Sequence, residues 1–369
     1  MGLTVAQLNN VTGRVLVVSD VHAMPTFFEQ LLIKAQFCHD DTLILLGDMI
    51  EKGPDSLTFL RYLMDFAKEH ENVRFVRGNC DDLPLDFVRG DGMSPKVFWD
   101  YLTHHPESIL WQMGDAVGCH PKTTEELPLL RRAVAEHFQP ELEFIGTWPV
   151  ILESETMIFV HGGVPSCKNM EGLDPWRCMK NDNFLDRDVH LEKWCVVGHT
   201  PVTLYHRRVP SAEPIICREK HIISIDGGCG LKLDGQLNAL IIPFLGSEDF
   251  SWVSYDGLKT VVALEPQAPS KNSLNLRWGD DEVEILEQGP EFCRCRHRST
   301  GYELDILTDY IYEKNGRVRC EDSTDFELEV VAGEALGLVR HTTRGILAKK
   351  VGVTGWYRGK FSVDIDETV

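Results

Sequence analysis

Six short apolar runs between residues 14 and 225 each lead into a polar residue with glycine close by. RVLVVS (14–19) runs into Asp20-Val21-His22, TLILL (42–46) into Gly47-Asp48, and VRFV (73–76) into Gly78-Asn79-Cys80-Asp81. Further on, MIFV (157–160) precedes His161-Gly162-Gly163, WCVV (194–197) precedes Gly198-His199-Thr200, and IISI (222–225) precedes Asp226-Gly227-Gly228. Short β-branched runs without a helical period read as buried strands. Between the first three lie amphipathic stretches. Pro25 opens one with Phe28, Leu31, Leu32 and Ala35 on a single stripe, and Pro54-Asp55-Ser56 opens another with Leu57, Leu60, Leu63 and Ala67. Strand–helix–strand alternation implies parallel pairing with right-handed crossovers. Ligands bind beyond the carboxyl ends of such strands, so the six polar groups are expected to converge. The adjacent glycines let the backbone turn sharply and a substrate approach closely.

Carboxylate, imidazole and carboxamide oxygen suit Mn or Fe, and Zn also accepts them without requiring a thiolate. Two ions roughly 3.5–4 Å apart need a shared ligand and generate a bridging hydroxide near neutral pH. Asp48, in the middle of the set, is the natural bridge. Any one of these motifs alone reads as a turn with a solvated side chain; six in order do not. The formal net charge of −20 disfavours nucleic-acid partners, which call for a basic face. Bound cations would reverse the local field and let an acidic protein handle phosphate. The longest apolar runs are far shorter than a membrane span, so no membrane association is expected. Eleven cysteines without a CxxC pair, behind an N-terminal stretch that does not read as a secretory leader, fit a reduced, cytoplasmic setting.

Residues 84–148 read as a mostly helical insert carrying Trp99, Trp111 and Trp148. The catalytic domain is expected over 1–262, a Pro/Ser/Asn-rich linker over 263–280, and a β-rich domain over 281–369. In that last part EVEIL (282–286) resembles ELEVV (327–331), and Arg296-His297 followed by Gly301 recurs as Arg340-His341 followed by Gly345. Two small barrel-like repeats follow from this reading, with a protein partner as their expected use. Cys293, Cys295 and His297 read as alternating packing in a strand rather than a zinc site. Cys119-His120 and His104-His105 read as solvated or core-satisfied.

The series SDVH, GDMIEKGPDS, GNCD, HGG and GHTP resembles the calcineurin-like metallophosphoesterases over about residues 14–243. The nearest resemblance is to the phosphoprotein-phosphatase branch and its bacterial relatives that split diadenosine tetraphosphate. It implies an α/β fold, a four-layer αββα sandwich with two metal ions. One ion would take Asp20, His22 and Asp48, the other Asp48, Asn79, His161 and His199. Many family members have a second histidine where Pro201 stands, which leaves the first ion with fewer protein ligands. The branch has an Asp-Arg pair where Glu51-Lys52 stands, and a histidine where Cys80 stands. There the Asp–His dyad assists the leaving group and the Arg grips phosphate. The resemblance thus marks Asp48, Asn79, Cys80 and Glu51 as catalytic positions, with Lys52, Asn79 and Arg177 as phosphate contacts. Asp226 is expected to shape a turn beside the site. The implied activity is a metal-dependent phosphoric ester hydrolase, serine/threonine-phosphatase-like, acting on a phosphoprotein or a small phosphorylated molecule. The alternatives are a dinucleoside polyphosphatase or phosphodiesterase, and a catalytically silent scaffold. A thiol donates a proton to an alkoxide less readily than imidazolium does, so phosphoserine is expected to be a poorer substrate than an aryl phosphate.

Overall fold

Alternation of side chains along each strand decides the layers. The first sheet pairs β1 (Val5–Gln7), β5 (Ile151–Glu153), β6 (Met157–Val160), β7 (Trp194–Val197), β9 (Ile222–Ser224) and β8 (Ile215–Cys217), in that order. The second runs β11 (Ser251–Tyr255), β10 (Leu237–Ile242), β2 (Val15–Val18), β3 (Thr42–Leu46) and β4 (Val73–Val76). Strands β2, β3 and β4 pair in parallel, as do β6, β7 and β9. Val15, Val17, Ile44, Leu46 and Val76 face Met157, Phe159, Val196 and Ile223 in one buried cluster, the layer between the sheets. Leu16, Val18, Leu43 and Leu45 point the other way. They meet Phe28 and Leu31 of α1 (Pro25–Lys34) and Phe59 and Leu60 of α2 (Ser56–Glu69). Each such side chain contributes roughly 1.5–3 kcal/mol on burial. The opposite outer layer is thin. Ile158, Val160, Cys195 and Val197 are covered by loops and by the five-residue helix Pro175–Met179, through Cys178, Met179, Phe184 and Leu191. These four layers are the αββα sandwich.

This computed structural model describes residues 2–363 apart from 10, 12, 91, 169 and 171. Among the described residues five α-helices run through the insert, the first beginning ahead of residue 84: α3 (Asn79–Arg89), α4 (Pro95–His104), α5 (Ile109–Val117), α6 (Leu127–His137) and α7 (Gln139–Gly146). Ser94 and Ser108 cap α4 and α5 with side-chain oxygens, which explains where those helices begin. All eleven cysteines are free. Among the described residues no helix is long and apolar enough to cross a membrane.

Two compact units emerge, Met1–Pro201 with Pro214–Asp256, and Val202–Glu213 with Gly257–Val369. The boundary therefore precedes the expected linker, and residues 202–213 join the second unit. The stretch 263–280 is not a free connector. Gln267 exchanges backbone hydrogen bonds with Val330, and its side-chain amide donates to Leu328 O and Trp356 O. Satisfied backbone groups outweigh a loop-like composition here. The named strands of the second unit all pair antiparallel, in a five-stranded sheet, a three-stranded sheet of Val283–Glu287, Phe292–His297 and Glu303–Leu307, and two two-stranded ones. The repeat is half visible. Arg296-His297 and Arg340-His341 both close the first strand of a hairpin, but 327–331 makes isolated bridges where 283–287 is a strand. Cys293 and Cys295 are buried in an apolar cluster, and the two ring nitrogens of His297 face Thr300 Oγ1 and Asp280 O.

Candidate metal centre

Four of the expected ligands leave their strands through left-handed backbone. Asp20 and His22 follow β2 at φ 57° and 50°, Asp48 follows β3 at 53°, and His199 follows β7 at 66°. Glu51 and Lys52 adopt φ of 76° and 71°. Non-glycine residues in such conformations cost roughly 1–3 kcal/mol each and persist only where neighbours over-determine them. The neighbours here are the two loops themselves. Asp20 N donates to Gly47 O at 3.0 Å, His22 N to Asp48 O at 3.0 Å, and Ala23 N to Met49 O at 2.8 Å. Asp81, fully buried at the start of α3, then accepts from the backbone N–H groups of Asp48 (2.8 Å), Gly78 (2.9 Å), Met49 (2.9 Å) and Ile50 (3.3 Å). Two glycines are demanded by space. A Cβ on Gly78 would lie 2.2 Å from Asp48 Oδ1, and one on Gly198 would lie 1.9 Å from Ser19 Oγ.

The polar atoms these loops hold converge. Asp48 Oδ1 accepts from Cys80 N at 2.8 Å, while Oδ2 stands 3.3 Å from His161 Nε2. Asp20 Oδ2 accepts from Ser19 Oγ (2.5 Å) and His199 N (3.0 Å). That leaves Oδ1 3.8 Å from His22 Nε2 and 3.9 Å from His161 Nε2. His161 Nδ1 lies 2.9 Å from Leu46 O. Burial pushes the ring down, but the facing Asp48 and Asp20 carboxylates outweigh it and push the ring up to about 10, so that a cation taking Nε2 would displace a proton there. His199 Nε2 is held by Asp182 Oδ1 at 2.7 Å. Asp48, His161 and His199 present ligand atoms within 4.8 Å of one another, and His22, Asp48 and Cys80 form a second such group. Asp48 belongs to both.

A cation fits this cluster for two reasons. His22 Nδ1, Asn79 Oδ1, His161 Nε2 and Asp226 Oδ2 are buried without a hydrogen-bond partner, where buried polar atoms are nearly always satisfied. Carboxylates also crowd there with little solvent. Burial, and then the neighbouring Asp226, pushes the Asp20 carboxyl well above the usual range. Burial likewise raises Asp81 and Asp226 to about 7. Asp48 is also pushed up by burial, but the surrounding imidazoles of His161, His22 and His199 outweigh it and hold it low. Asp226 does cap a turn, accepting from Gly228 N at 2.8 Å, and its second oxygen is buried without a partner.

The substrate-side expectations fare unevenly. Cys80 sits beside Asn79, whose Nδ2 donates to Cys80 Sγ at 3.5 Å, and burial pushes its thiol well above the ordinary range. Both oxygens of Glu51 are taken, Oε1 by Tyr101 OH and Oε2 by Ile109 N, each at 2.8 Å. Its carboxylate thus ties the insert to the loop after β3. The structure does not bring Arg177 to the ligands: its side chain is 86% exposed, 3.9 Å from Asp174. Lys52 is half-buried and faces His105, expected to be solvated or core-satisfied, at 3.3 Å. Asp81, Asp182, Tyr101 and His105 were not singled out as functional from sequence. Only Asp81 carried a signal, as the acid in the first turn of a helix after GN.

A sheet pair whose strand ends gather carboxylates, imidazoles and an amide around unsatisfied lone pairs defines a class, and the chain belongs to the calcineurin-like phosphoesterase family, whose model matches residues 13–225. It is 36% identical over 93 residues to the symmetrical bis(5'-nucleosyl)-tetraphosphatase of Photorhabdus laumondii subsp. laumondii, an alignment covering 25% of this chain and 33% of that relative. The protein of the same description from Buchnera aphidicola subsp. Schizaphis graminum is 38% identical over 66 residues, 17% of this chain and 23% of that relative. The alignments therefore span a third or less of those relatives. A solved metallophosphoesterase from Sphaerobacter thermophilus is 16% identical with a TM-score of 0.35, covering 66% of this chain and 89% of that one.

Proposed function

We propose that this chain is a two-metal phosphoric ester hydrolase, with Asp20, His22 and Asp48 holding one ion and Asp48, Asn79, His161 and His199 the other. The observation that carries the reading is that Asp48 belongs to two groups of candidate ligands, one with His22 and Cys80 and one with His161 and His199, while His161 Nε2, 3.3 Å from Asp48 Oδ2, is buried without a hydrogen-bond partner. The oxygen and imidazole donors suit Mn or Fe, with Zn acceptable. Bound there, a metal pair supplies Lewis acidity toward a phosphoryl oxygen and a nucleophile at neutral pH. The chain's own residues do the rest. Leu46 O and Asp182 fix the rings of His161 and His199, and Asp81 rigidifies the loop that presents Asp48. Lys52 places a positive charge near the cluster for a phosphoryl oxygen.

Substrate preference follows from Cys80. A buried thiol raised by desolvation is a weak proton donor, so leaving groups that depart without a proton are favoured. Phosphate and phenolate are such groups; the serine alkoxide is not. We therefore favour a phosphoanhydride of the dinucleoside polyphosphate kind over a phosphoprotein, in keeping with the descriptions of the two bacterial relatives. The test is turnover by Mn-loaded protein on diadenosine tetraphosphate, an aryl phosphate and a phosphoserine peptide. The anhydride and aryl ester should be cleaved at least about a hundredfold faster than the peptide, the range that general-acid assistance supplies. Equal rates on all three would overturn the preference.

A further inference from the structure

Lysine is a poor substitute for arginine at a phosphate clamp. Its ammonium sits on a flexible four-carbon stem and lacks the fork that sets a guanidinium's direction. In an acidic neighbourhood it also tends to pair with a carboxylate and lose its charge to that partner. Lys52 avoids both outcomes by means of the insert. Its Nζ lies 5.1 Å from the centre of the Tyr101 ring, within cation–π range. It donates to His105 Nε2 at 3.3 Å, while His105 Nδ1 is held by Glu107 Oε1 at 2.9 Å. The two rings lie against each other, centroids 4.3 Å apart. Glu107 thus takes the His105 Nδ1–H and leaves Nε2 as a neutral acceptor. The nearby Glu51 carboxylate is occupied by Tyr101 OH and Ile109 N. Glu51 and Glu107 remain charged neighbours of Lys52, but their oxygens are engaged by Tyr101, Ile109 and His105, and the contacts that steer Nζ are a ring face and an imidazole nitrogen.

We infer that Tyr101, His105 and Glu107 of the helical insert form a positioning device for Lys52, holding its ammonium toward a phosphate group of the substrate. This rests on the hydrolase reading above and adds to it a role for the insert. A lysine held by an imidazole nitrogen and a ring face keeps its full charge for an incoming anion, and its remaining N–H groups are free to donate. His105 and Glu107 are each about a third exposed, so the network lies where substrate can reach it. His105 acts through Lys52, not on the reacting atoms.

The test is a double-mutant cycle read by calorimetric binding of inorganic phosphate to the Mn-loaded full-length protein, with turnover of an aryl phosphate measured beside it. His105→Ala should weaken phosphate binding about tenfold, the scale of one charge-assisted hydrogen bond, with KM raised more than kcat is lowered. His105→Gln, which keeps an acceptor at similar reach, should restore most of the affinity. In a Lys52→Met background, His105→Ala should change nothing further. Thermal unfolding and metal content of each variant separate a positioning effect from a loss of fold. An equal effect of His105→Ala with and without Lys52, or no effect at all, would overturn the inference while leaving the hydrolase reading intact. His105-dependent phosphate binding without any turnover would overturn that reading and support this one. Wild-type protein that neither binds phosphate nor turns over would overturn both.

Discussion

Asp81 shows how much of this site is held by a residue outside the ligand set. It accepts four backbone N–H groups from the loops carrying Asp48 and Gly78. Asp81→Ala should lower unfolding free energy by about 3 kcal/mol or more, since several buried donors lose their acceptor together. Urea unfolding measures this, and a loss below about 1 kcal/mol would mean that water takes over the acceptors. Asp48, Asn79, His161 and His199 were legible in the sequence because each stands at the end of a short apolar run. Asp182 was not: its only mark is a tertiary contact, and no local pattern announces that it will meet His199. His105 was missed for the same reason, lying 53 positions from the lysine it faces. Arg177 is the opposite case, marked by local resemblance while its side chain lies exposed on the surface beside Asp174.

Among the elements, the helical insert has the least obvious dependence on the core. Glu51 ties α4 and α5 to the loop after β3, accepting from Tyr101 OH and Ile109 N from a fully buried position. Tyr101→Phe keeps the ring under Lys52 but leaves one buried carboxylate oxygen without its donor. It should cost about 1–3 kcal/mol of stability, and a fall in phosphate affinity would report the freed Glu51 oxygen pairing with Lys52. Tyr101→Leu should weaken both, and comparing thermal midpoints with binding isotherms separates the two effects. A second contact, at the start of β2, sets a pH signature. Burial pushes the Asp41 carboxyl up, but hydrogen bonds from Arg14 and from Cys38 N outweigh it and leave it below its ordinary value. A depressed carboxyl stabilises the fold above its unfolded value near 4, and that stability is lost as pH falls through the folded value. Asp41→Asn should therefore destabilise the protein at pH 7, and the difference should vanish on acidification through the depressed folded-state value. The central strands were readable almost to the residue, as β3 and β4 show. The three-residue strands β1 and β5 were not, since so short a segment has no pattern apart from the partner that completes it.

On the scale of the whole molecule, the chain divides into a unit that carries every proposed ligand and an antiparallel unit to which no chemistry is assigned. Parallel pairing followed from strand–helix alternation, while the αββα architecture came from the family resemblance carried by the order of motifs. The division followed from neither, because residues 202–213 and 263–280 join the second unit through pairings remote in sequence. A cluster of buried carboxylates should make the fold depend on its counter-ions. Chelation should lower the thermal midpoint by several degrees at fixed pH, and added Mn should restore it. The central claim is that Asp48 serves two metal sites which together cleave a phosphoester. The most direct test measures metal content and aryl phosphate turnover together, for Mn-loaded protein and for Asp48→Asn. The account predicts two ions per chain and metal-dependent turnover in the wild type. It also predicts fewer than two ions per chain in Asp48→Asn, with turnover lower by at least about a hundredfold. Turnover unaffected by the substitution, or a folded wild type that holds two ions and cleaves nothing, would contradict it.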